Sequence, residues 1–276
     1  MIVWQALVLG VVQGLTEFLP VSSSGHLVLF QNLFGMKEPL LAFDIAVHGG
    51  TLLAILVFFH KDILDILKDF THSLQRAVSP KPASTPSIQP SHRGLWACIL
   101  ITLIPTGIMA VCFKHLFEAA FAKLIFVAAA WFVMGLFLIL SERFQKGQKD
   151  LSVIHYGDAF WIGLAQGIAL LPGISRSGST ILAGMFLGIK KEDAAKFSFL
   201  IAIPAVAGAI VMELKEGIQY FSANAAIVLT GFAAAAITGY LVIRWLMKLI
   251  RQGRFFLFGY YCIAVSLFAL TFVILS

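Results

Sequence analysis

The stretch LGVVQGLTEFLPVSSSGH, residues 9–26, places a carboxylate, three consecutive serines and a histidine directly after an apolar run. The chain around it is 59% hydrophobic and 12% charged, with a mean hydropathy of +0.92. A soluble domain carries about 25% charged residues. Ionisable groups at membrane depth are costly and are functional by default. This polar cluster therefore marks a candidate site inside a membrane protein.

Six apolar runs approach the length of about 20 residues with which a helix spans a bilayer. They lie at about 41–59, 95–113, 123–140, 195–212, 225–243 and 256–275. The sequence therefore predicts an all-α polytopic protein that forms a single membrane domain over residues 1–276.

The opening stretch recurs as IGLAQGIALLPGISRSGS, residues 162–179, at a constant offset of 153. The residues that coincide without a gap are Gly10 with Gly163, Gln13 with Gln166, Gly14 with Gly167, Ser22 with Ser175, Ser24 with Ser177, and Gly25 with Gly178. The repeat predicts two related halves, residues 1–150 and 151–276.

Basic residues indicate how the two halves lie in the membrane. Of the 20 Lys and Arg residues, 15 fall in four segments, 60–94, 141–156, 189–196 and 244–255. Basic loops stay on the cytoplasmic side, so the net charge of +6 reports topology and predicts no nucleic-acid partner. With these loops inside, residues 1–35 and 155–190 become re-entrant hairpins that enter from opposite faces.

The predicted architecture is therefore six transmembrane spans plus two re-entrant helical hairpins in an inverted-topology repeat. Such repeats place a binding site near the midplane, where broken helices meet. Within the first half, residues 60–94 begin with an amphipathic pattern and continue as a proline-rich stretch. We expect a short helix at the membrane surface followed by a flexible loop.

The second tip, PGISRSGST at residues 172–180, has the features of a phosphate site. Proline and glycine end one helix and let another begin, and the free N–H groups of a helix N-terminus attract anions. The planar fork of Arg176 matches phosphate oxygens, and the hydroxyls of Ser175, Ser177, Ser179 and Thr180 surround it. The alternative is that Arg176 forms an internal salt bridge with Glu17 or Asp44.

The first tip combines possible metal ligands with a possible nucleophile. Gln13 and Glu17 are four residues apart on one helix face and could share a hard cation such as Mg²⁺ or Ca²⁺; otherwise Glu17 is a packing partner. A serine hydroxyl among Ser22, Ser23 and Ser24 becomes a nucleophile if His26 takes its proton; otherwise the serines cap a helix.

Two further polar residues lie in the first apolar run. Asp44 either supports the site from behind or caps the helix that begins there. His48, with Gly49 and Gly50, is interpreted as a mark of close helix packing.

The two tips together resemble the bacitracin-resistance type of undecaprenyl pyrophosphate phosphatase. The first motif of that family, (E/Q)xxxE followed by PxSSxxH, is matched by Gln13, Glu17 and the run from Pro20 to His26. Its second motif, PGxSRSxxT, is matched from Pro172 to Thr180. The similarity covers nearly the full chain. The glutamine at position 13 leaves less charge on any metal than the glutamate alternative, and the 60–94 segment is long for the family.

The resemblance implies a bacterial inner-membrane hydrolase that converts undecaprenyl pyrophosphate to undecaprenyl phosphate. That reaction recycles the lipid carrier for peptidoglycan and gives bacitracin resistance. The resemblance also implies an active site facing the periplasm and a divalent cation, Mg²⁺ or Ca²⁺.

The site residues predicted from the two tips and from the resemblance together fall into three roles. The catalytic residues are Glu17, Ser23, His26 and Arg176. The residues that bind phosphate are Ser22, Ser24, Gly173, Ser175, Arg176, Ser177 and Thr180. The metal ligands are Gln13 and Glu17, with Asp44 in support. Whether serine, histidine or a metal-bound water attacks stays open.

A lipid-phosphate flippase or transporter is the main alternative, because inverted repeats with broken helices are common in transporters. The residues that discriminate are Glu17, Ser23 and His26, since transport needs no nucleophile or base. A purely structural scaffold would leave Glu17 and Arg176 without a purpose. The expected partners are a lipid pyrophosphate and membrane lipids, and the small-residue faces at Gly208 and 231–239 permit a homodimer.

Overall fold

The protein is described by a computed structural model over residues 1–36, 40–78, 94–121, 123–141 and 147–275. These residues are helical, apart from turns and an isolated bridge between Lys149 and Ile189. The α-helices are α1 (Val3–Thr16), α2 (Ser23–Leu33), α3 (Leu41–Phe58), α4 (His60–Val78), α5 (Leu95–Cys112), α6 (Lys114–Phe121), α7 (Leu124–Leu140), α8 (Tyr156–Ile168), α9 (Arg176–Phe186), α10 (Lys191–Ala223), α11 (Ala225–Arg251) and α12 (Leu257–Leu275).

Within the described residues, four helices are long and apolar enough to cross a membrane, namely α5, α10, α11 and α12. The number rises to six if two bent pairs, α3 with α4 and α6 with α7, each count as one span. Every predicted span thus falls on a helix, and the prediction of an all-α polytopic membrane protein is confirmed. The re-entrant placement and the opposite orientation of the two halves stay predictions.

Two spans are longer than their apolar runs predicted. α10 begins at Lys191 instead of about 195 and continues to Ala223, and α11 continues past 243 to Arg251. The added turns carry charges that suit a helix dipole: Glu192 and Asp193 lie in the first turn of α10, and Lys248 and Arg251 in the last turn of α11. Apolar runs find the centre of such a helix and miss its charged ends.

The amphipathic helix predicted after residue 60 is present as α4, which bends by 77° from α3. Its buried residues include Ile66 and Asp69, and an Asp69 carboxylate oxygen accepts the backbone N–H of Gly94 at 2.8 Å. The proline-rich continuation, residues 79–93, lies outside the described residues.

The two repeated stretches form the helical hairpins α1–α2 and α8–α9, and each packs against a span from the other half of the sequence. α1 packs against α11, where a Cβ added at Gly10 would lie 2.4 Å from the carbonyl oxygen of Gly231. α8 packs against α5, where a Cβ added at Gly163 would lie 2.4 Å from the carbonyl oxygen of Thr102. The repeated glycines therefore let each hairpin approach a span closely.

Candidate active site

The turn between α1 and α2 holds the first tip in an unusual backbone conformation. Ser22 has a φ of 65° and is the only described non-glycine residue with positive φ, a conformation that usually marks a constrained or functional position. Its Oγ accepts the backbone N–H of Gly25 at 3.3 Å and that of Gly173 at 3.1 Å. Ser22 therefore caps α2 and binds the second tip at the same time.

The second tip repeats this cap. Ser175 precedes α9, and its Oγ accepts the backbone N–H of Gly178 at 3.0 Å. Gly173, with a φ of 93°, lies so close to α7 that an added Cβ would be 2.4 Å from the Val127 carbonyl oxygen. The helices that follow the two tips therefore begin next to each other, with both N-termini at one junction.

Side chains from other elements fix the backbone carbonyls of the first tip. The hydroxyls of Ser177 and Ser175 donate to the Leu19 carbonyl at 3.0 and 3.3 Å. Trp131 of α7 donates its indole N–H to the carbonyl of Val21 at 2.8 Å. Because buried carbonyls are satisfied in this way, the turn is rigidly held where its polar side chains emerge.

Glu17 is the centre of the polar cluster and is buried. One carboxylate oxygen, Oε1, accepts a guanidinium N–H of Arg176 at 2.6 Å. The other, Oε2, accepts the Ser23 hydroxyl at 2.5 Å and the Gln13 amide at 2.9 Å. Charge-assisted bonds of this length are the strong class of hydrogen bonds. The structure thus brings together four of the predicted site residues.

The internal salt bridge weighed for Arg176 is therefore formed, and its partner is Glu17. The second terminal nitrogen of Arg176, Nη1, lies 3.5 Å from the Ser198 carbonyl oxygen. A guanidinium carries five N–H donors, so this pairing leaves donors of Arg176 for a ligand.

The structure does not bring His26 to the serine hydroxyls. Its Nδ1 lies 2.7 Å from the Ser22 carbonyl oxygen, so Nδ1 carries the proton and donates it. Its Nε2 lies 2.8 Å from the Tyr261 hydroxyl and accepts from it. The ring also contacts Trp131 edge-on. His26 is thus placed to hold the strained Ser22 backbone.

A cavity of about 500 Å³ opens at the junction of the tips. The predicted residues that line it are Glu17, Ser22, Ser23, Ser24, Asp44, Ser175 and Arg176. Thr180 and Ser177 lie behind this surface: Thr180 Oγ1 bonds the Arg176 carbonyl at 2.8 Å and Ser198 Oγ at 2.6 Å. Gly173 gives its N–H to Ser22. These three residues shape the second tip instead of lining the cavity.

Asp44 lines the cavity from the first turn of α3, whose N-cap is Leu40. Asp44 Oδ1 accepts the Gln31 amide at 2.9 Å. Asp44 therefore lies in the first turn of α3 and not at its N-cap, and its support of the site stays a prediction.

Three cavity residues were missed from the sequence as site residues. His48 Nε2 lies 3.7 Å from Glu17 Oε2, while His48 Nδ1 bonds the Asp44 carbonyl at 2.7 Å. Gln166, the repeat partner of Gln13, lines the cavity together with Thr106, to which its amide donates at 3.2 Å. The exact correspondence between Gln13 and Gln166 was the signal that could have found Gln166.

The oxygen atoms at the first tip are of the kind that bind a hard cation together with a substrate. Within the described residues there is no group of three or more His, Cys, Asp or Glu side chains that could hold a metal alone. Gln13 Oε1, however, is a buried oxygen without a hydrogen-bond partner there, and Glu17 lies beside it. Mg²⁺ commonly uses one or two protein oxygens together with substrate phosphates and water.

The fold and the site define an integral membrane protein with a buried carboxylate, guanidinium and hydroxyl cluster between two helix N-termini. The chain belongs to the bacitracin resistance protein BacA family, whose model matches residues 6–268.

Curated relatives are similar over almost the whole length. The undecaprenyl-diphosphatase of Methanobrevibacter smithii is 44% identical over 95% of each chain. That of Desulforapulum autotrophicum is 42% identical over 97% of each chain. That of Carboxydothermus hydrogenoformans is 42% identical over 94% of this chain and 92% of its own.

Proposed function

We propose that this protein is an undecaprenyl-diphosphate phosphatase. It removes the terminal phosphate of undecaprenyl pyrophosphate, recycles the lipid carrier for cell-wall synthesis and so gives bacitracin resistance. The observation that carries this proposal is the buried Glu17 carboxylate, which bonds the Ser23 hydroxyl and the Arg176 guanidinium in one cavity. The diphosphatase names of its relatives support it.

The pyrophosphate headgroup is held at the junction of the tips. Arg176 lines the cavity and offers its remaining N–H donors to phosphate oxygens. The N-termini of α2 and α9 add backbone N–H groups and the positive ends of their dipoles. These preorganised donors stabilise the negative charge that moves to the leaving group.

Ser23 is the proposed nucleophile and Glu17 its base. Ser23 Oγ attacks the terminal phosphorus, its proton moves to Glu17 Oε2, and the bond from that phosphorus to the bridging oxygen breaks. Undecaprenyl phosphate leaves with the bridging oxygen, and water then hydrolyses the phosphoserine. The existing bond from Ser23 to Glu17 meets the geometric requirement for nucleophile and base. His26 has both ring nitrogens in other bonds and positions the turn.

A divalent cation, Mg²⁺ or Ca²⁺, would be held by Gln13 and Glu17. When bound, it would neutralise charge on the pyrophosphate oxygens. The protein itself still places the Ser23 hydroxyl beside the Glu17 carboxylate.

A flippase is not favoured. Transport needs groups that bind the headgroup, but it gives no role to a hydroxyl bonded directly to a buried carboxylate. The site is proposed to face the periplasm from the inner membrane of a bacterium. A homodimer is proposed only through faces other than 231–239, since Gly231 and Gly239 of that segment are buried against other helices of the same chain.

Phosphate release from undecaprenyl pyrophosphate by the purified protein in detergent tests this function. We expect release by wild type with added Mg²⁺ or Ca²⁺ and its loss in Glu17→Ala. A folded wild type that releases no phosphate would reject the enzyme, and lipid flipping in liposomes would then be measured.

A further inference from the structure

The cavity at the tips continues into an apolar opening between α5 and α10. We call this opening the mouth and define it by five lining residues: Gly107, Ala110, Gly208, Ala209 and Met212. Four of them are exposed on the outside of the bundle, namely Gly107, Gly208, Ala209 and Met212, and Met212 is 73% exposed. The cavity therefore reaches the surface at the mouth, away from the polar tips.

The mouth opens in the apolar part of the molecule. α5 and the segment Lys191–Met212 of α10 are both candidate membrane spans with mean hydropathies of 2.2 and 2.0. Gly107 lies five residues before the end of α5 at Cys112, or about 7.5 Å along the helix axis. A chain leaving the cavity here emerges between two apolar candidate spans.

The two glycines at the mouth differ from the packing glycines of this fold. A Cβ added at Gly10 or Gly163 would collide with a neighbouring helix backbone, whereas a Cβ at Gly107 or Gly208 would meet no atom within 4 Å. Helix packing therefore does not require glycine at these two positions. Their effect is to leave open space on both walls of the mouth.

We propose that the mouth is where the isoprenoid tail leaves the cavity, and that Gly107 and Gly208 keep it wide enough for a methyl-branched chain. This proposal rests on the proposed function, which places the pyrophosphate at the tips. The same cavity that holds Glu17 and Arg176 is lined towards the mouth by apolar residues, including Leu103, Val206 and Ile210. An isoprenoid is the ligand whose charged head and branched apolar tail match these two ends.

The mouth then discriminates substrates by tail length. A side chain at position 107 or 208 narrows the route of a long tail, while a Cβ added at either position meets no atom within 4 Å. A pyrophosphate with a five-carbon prenyl group has the same head but little tail, so we expect its hydrolysis to depend much less on these positions. Binding energy from the remote tail is lost only for the long substrate.

The test compares Gly107→Leu and Gly208→Leu with Gly157→Leu as the matched control. Gly157 is also helical and exposed, and an added Cβ there meets no atom within 4 Å, but Gly157 does not line the cavity. We expect kcat/KM for undecaprenyl pyrophosphate to fall about tenfold or more in the two mouth variants. We expect kcat/KM for the five-carbon substrate to change less than about twofold, and the control to match wild type on both substrates.

Gly107→Ala and Gly208→Ala form a second, graded series, in which we expect smaller losses of kcat/KM on the long substrate than in the leucine variants. Equal losses on both substrates, or no loss on the long one, would overturn the proposal. If wild type hydrolyses neither substrate, the phosphatase function fails separately. The mouth is then tested by the anisotropy of a fluorescent long-chain isoprenyl phosphate, whose affinity must fall in the leucine variants; unchanged affinity overturns the proposal.

Discussion

Glu17 and Arg176 lie 159 residues apart in sequence and form an ion pair between the end of α1 and the start of α9, with the carboxylate buried and the guanidinium partly buried. Burying charge is unfavourable unless the charges are paired and hydrogen-bonded. Here Gln13 and Ser23 supply the additional hydrogen bonds to the carboxylate. The pair therefore joins the two tips and keeps the cluster ready for an anionic ligand.

Removing one charge of this pair is expected to destabilise the fold. Arg176→Gln leaves a buried carboxylate without its cation, which costs about 3–5 kcal/mol. The double variant Glu17→Gln with Arg176→Gln is expected to recover most of that loss, although it is inactive. Unfolding of the purified proteins in mixed micelles measures both effects, and additive losses in the double variant would show that the two residues are not coupled.

Sequence alone found most of the polar cluster but not the direction of its side chains. The repeat predicted that two serine-rich tips would meet, and Ser22 and Ser175 do form equivalent caps. The sequence offers His26 as a possible base because it lies close to the three serines. Its ring is instead bonded to Tyr261, which lies 235 residues away, and no short-range pattern contains that contact.

At the scale of elements, the glycines of the repeat are packing positions. Gly10→Ala and Gly163→Ala each force a Cβ into a carbonyl oxygen of the facing helix, and overpacking of this kind typically costs about 1–3 kcal/mol. Gly157→Ala, where the space is open, is expected to leave stability unchanged or raise it by up to about 1 kcal/mol. Thermal unfolding in detergent measures all three, and equal stability of Gly10→Ala and wild type would contradict this packing.

Helix existence was predictable because apolar runs of span length admit few alternatives in a membrane. Helix pairing was not, because it depends on which faces meet. The close approach of α1 to α11 and of α8 to α5 places glycines from one half against the other half. The repeat showed that both hairpins would pack alike, but it did not identify the span that each one contacts.

For the whole molecule, the basic segments predict which side of the membrane each end of the bundle faces. Single cysteines are introduced as Lys68→Cys in α4 and Lys123→Cys before α7, both exposed positions, after replacing Cys98, Cys112 and Cys262. In intact cells an impermeant maleimide is expected to label position 123 and to label position 68 only after permeabilisation. The reverse pattern would contradict the predicted orientation.

The most direct measurement compares Ser23→Ala with Ser24→Ala in phosphate release from undecaprenyl pyrophosphate. The two serines are neighbours that both line the cavity, but only Ser23 donates to Glu17, while Ser24 lies 3.3 Å from the Ser22 hydroxyl. If Ser23 is the nucleophile, Ser23→Ala lowers kcat by about a thousandfold or more, and Ser24→Ala by about tenfold at most. Equal activities of the two variants would show that Ser23 is not the attacking group.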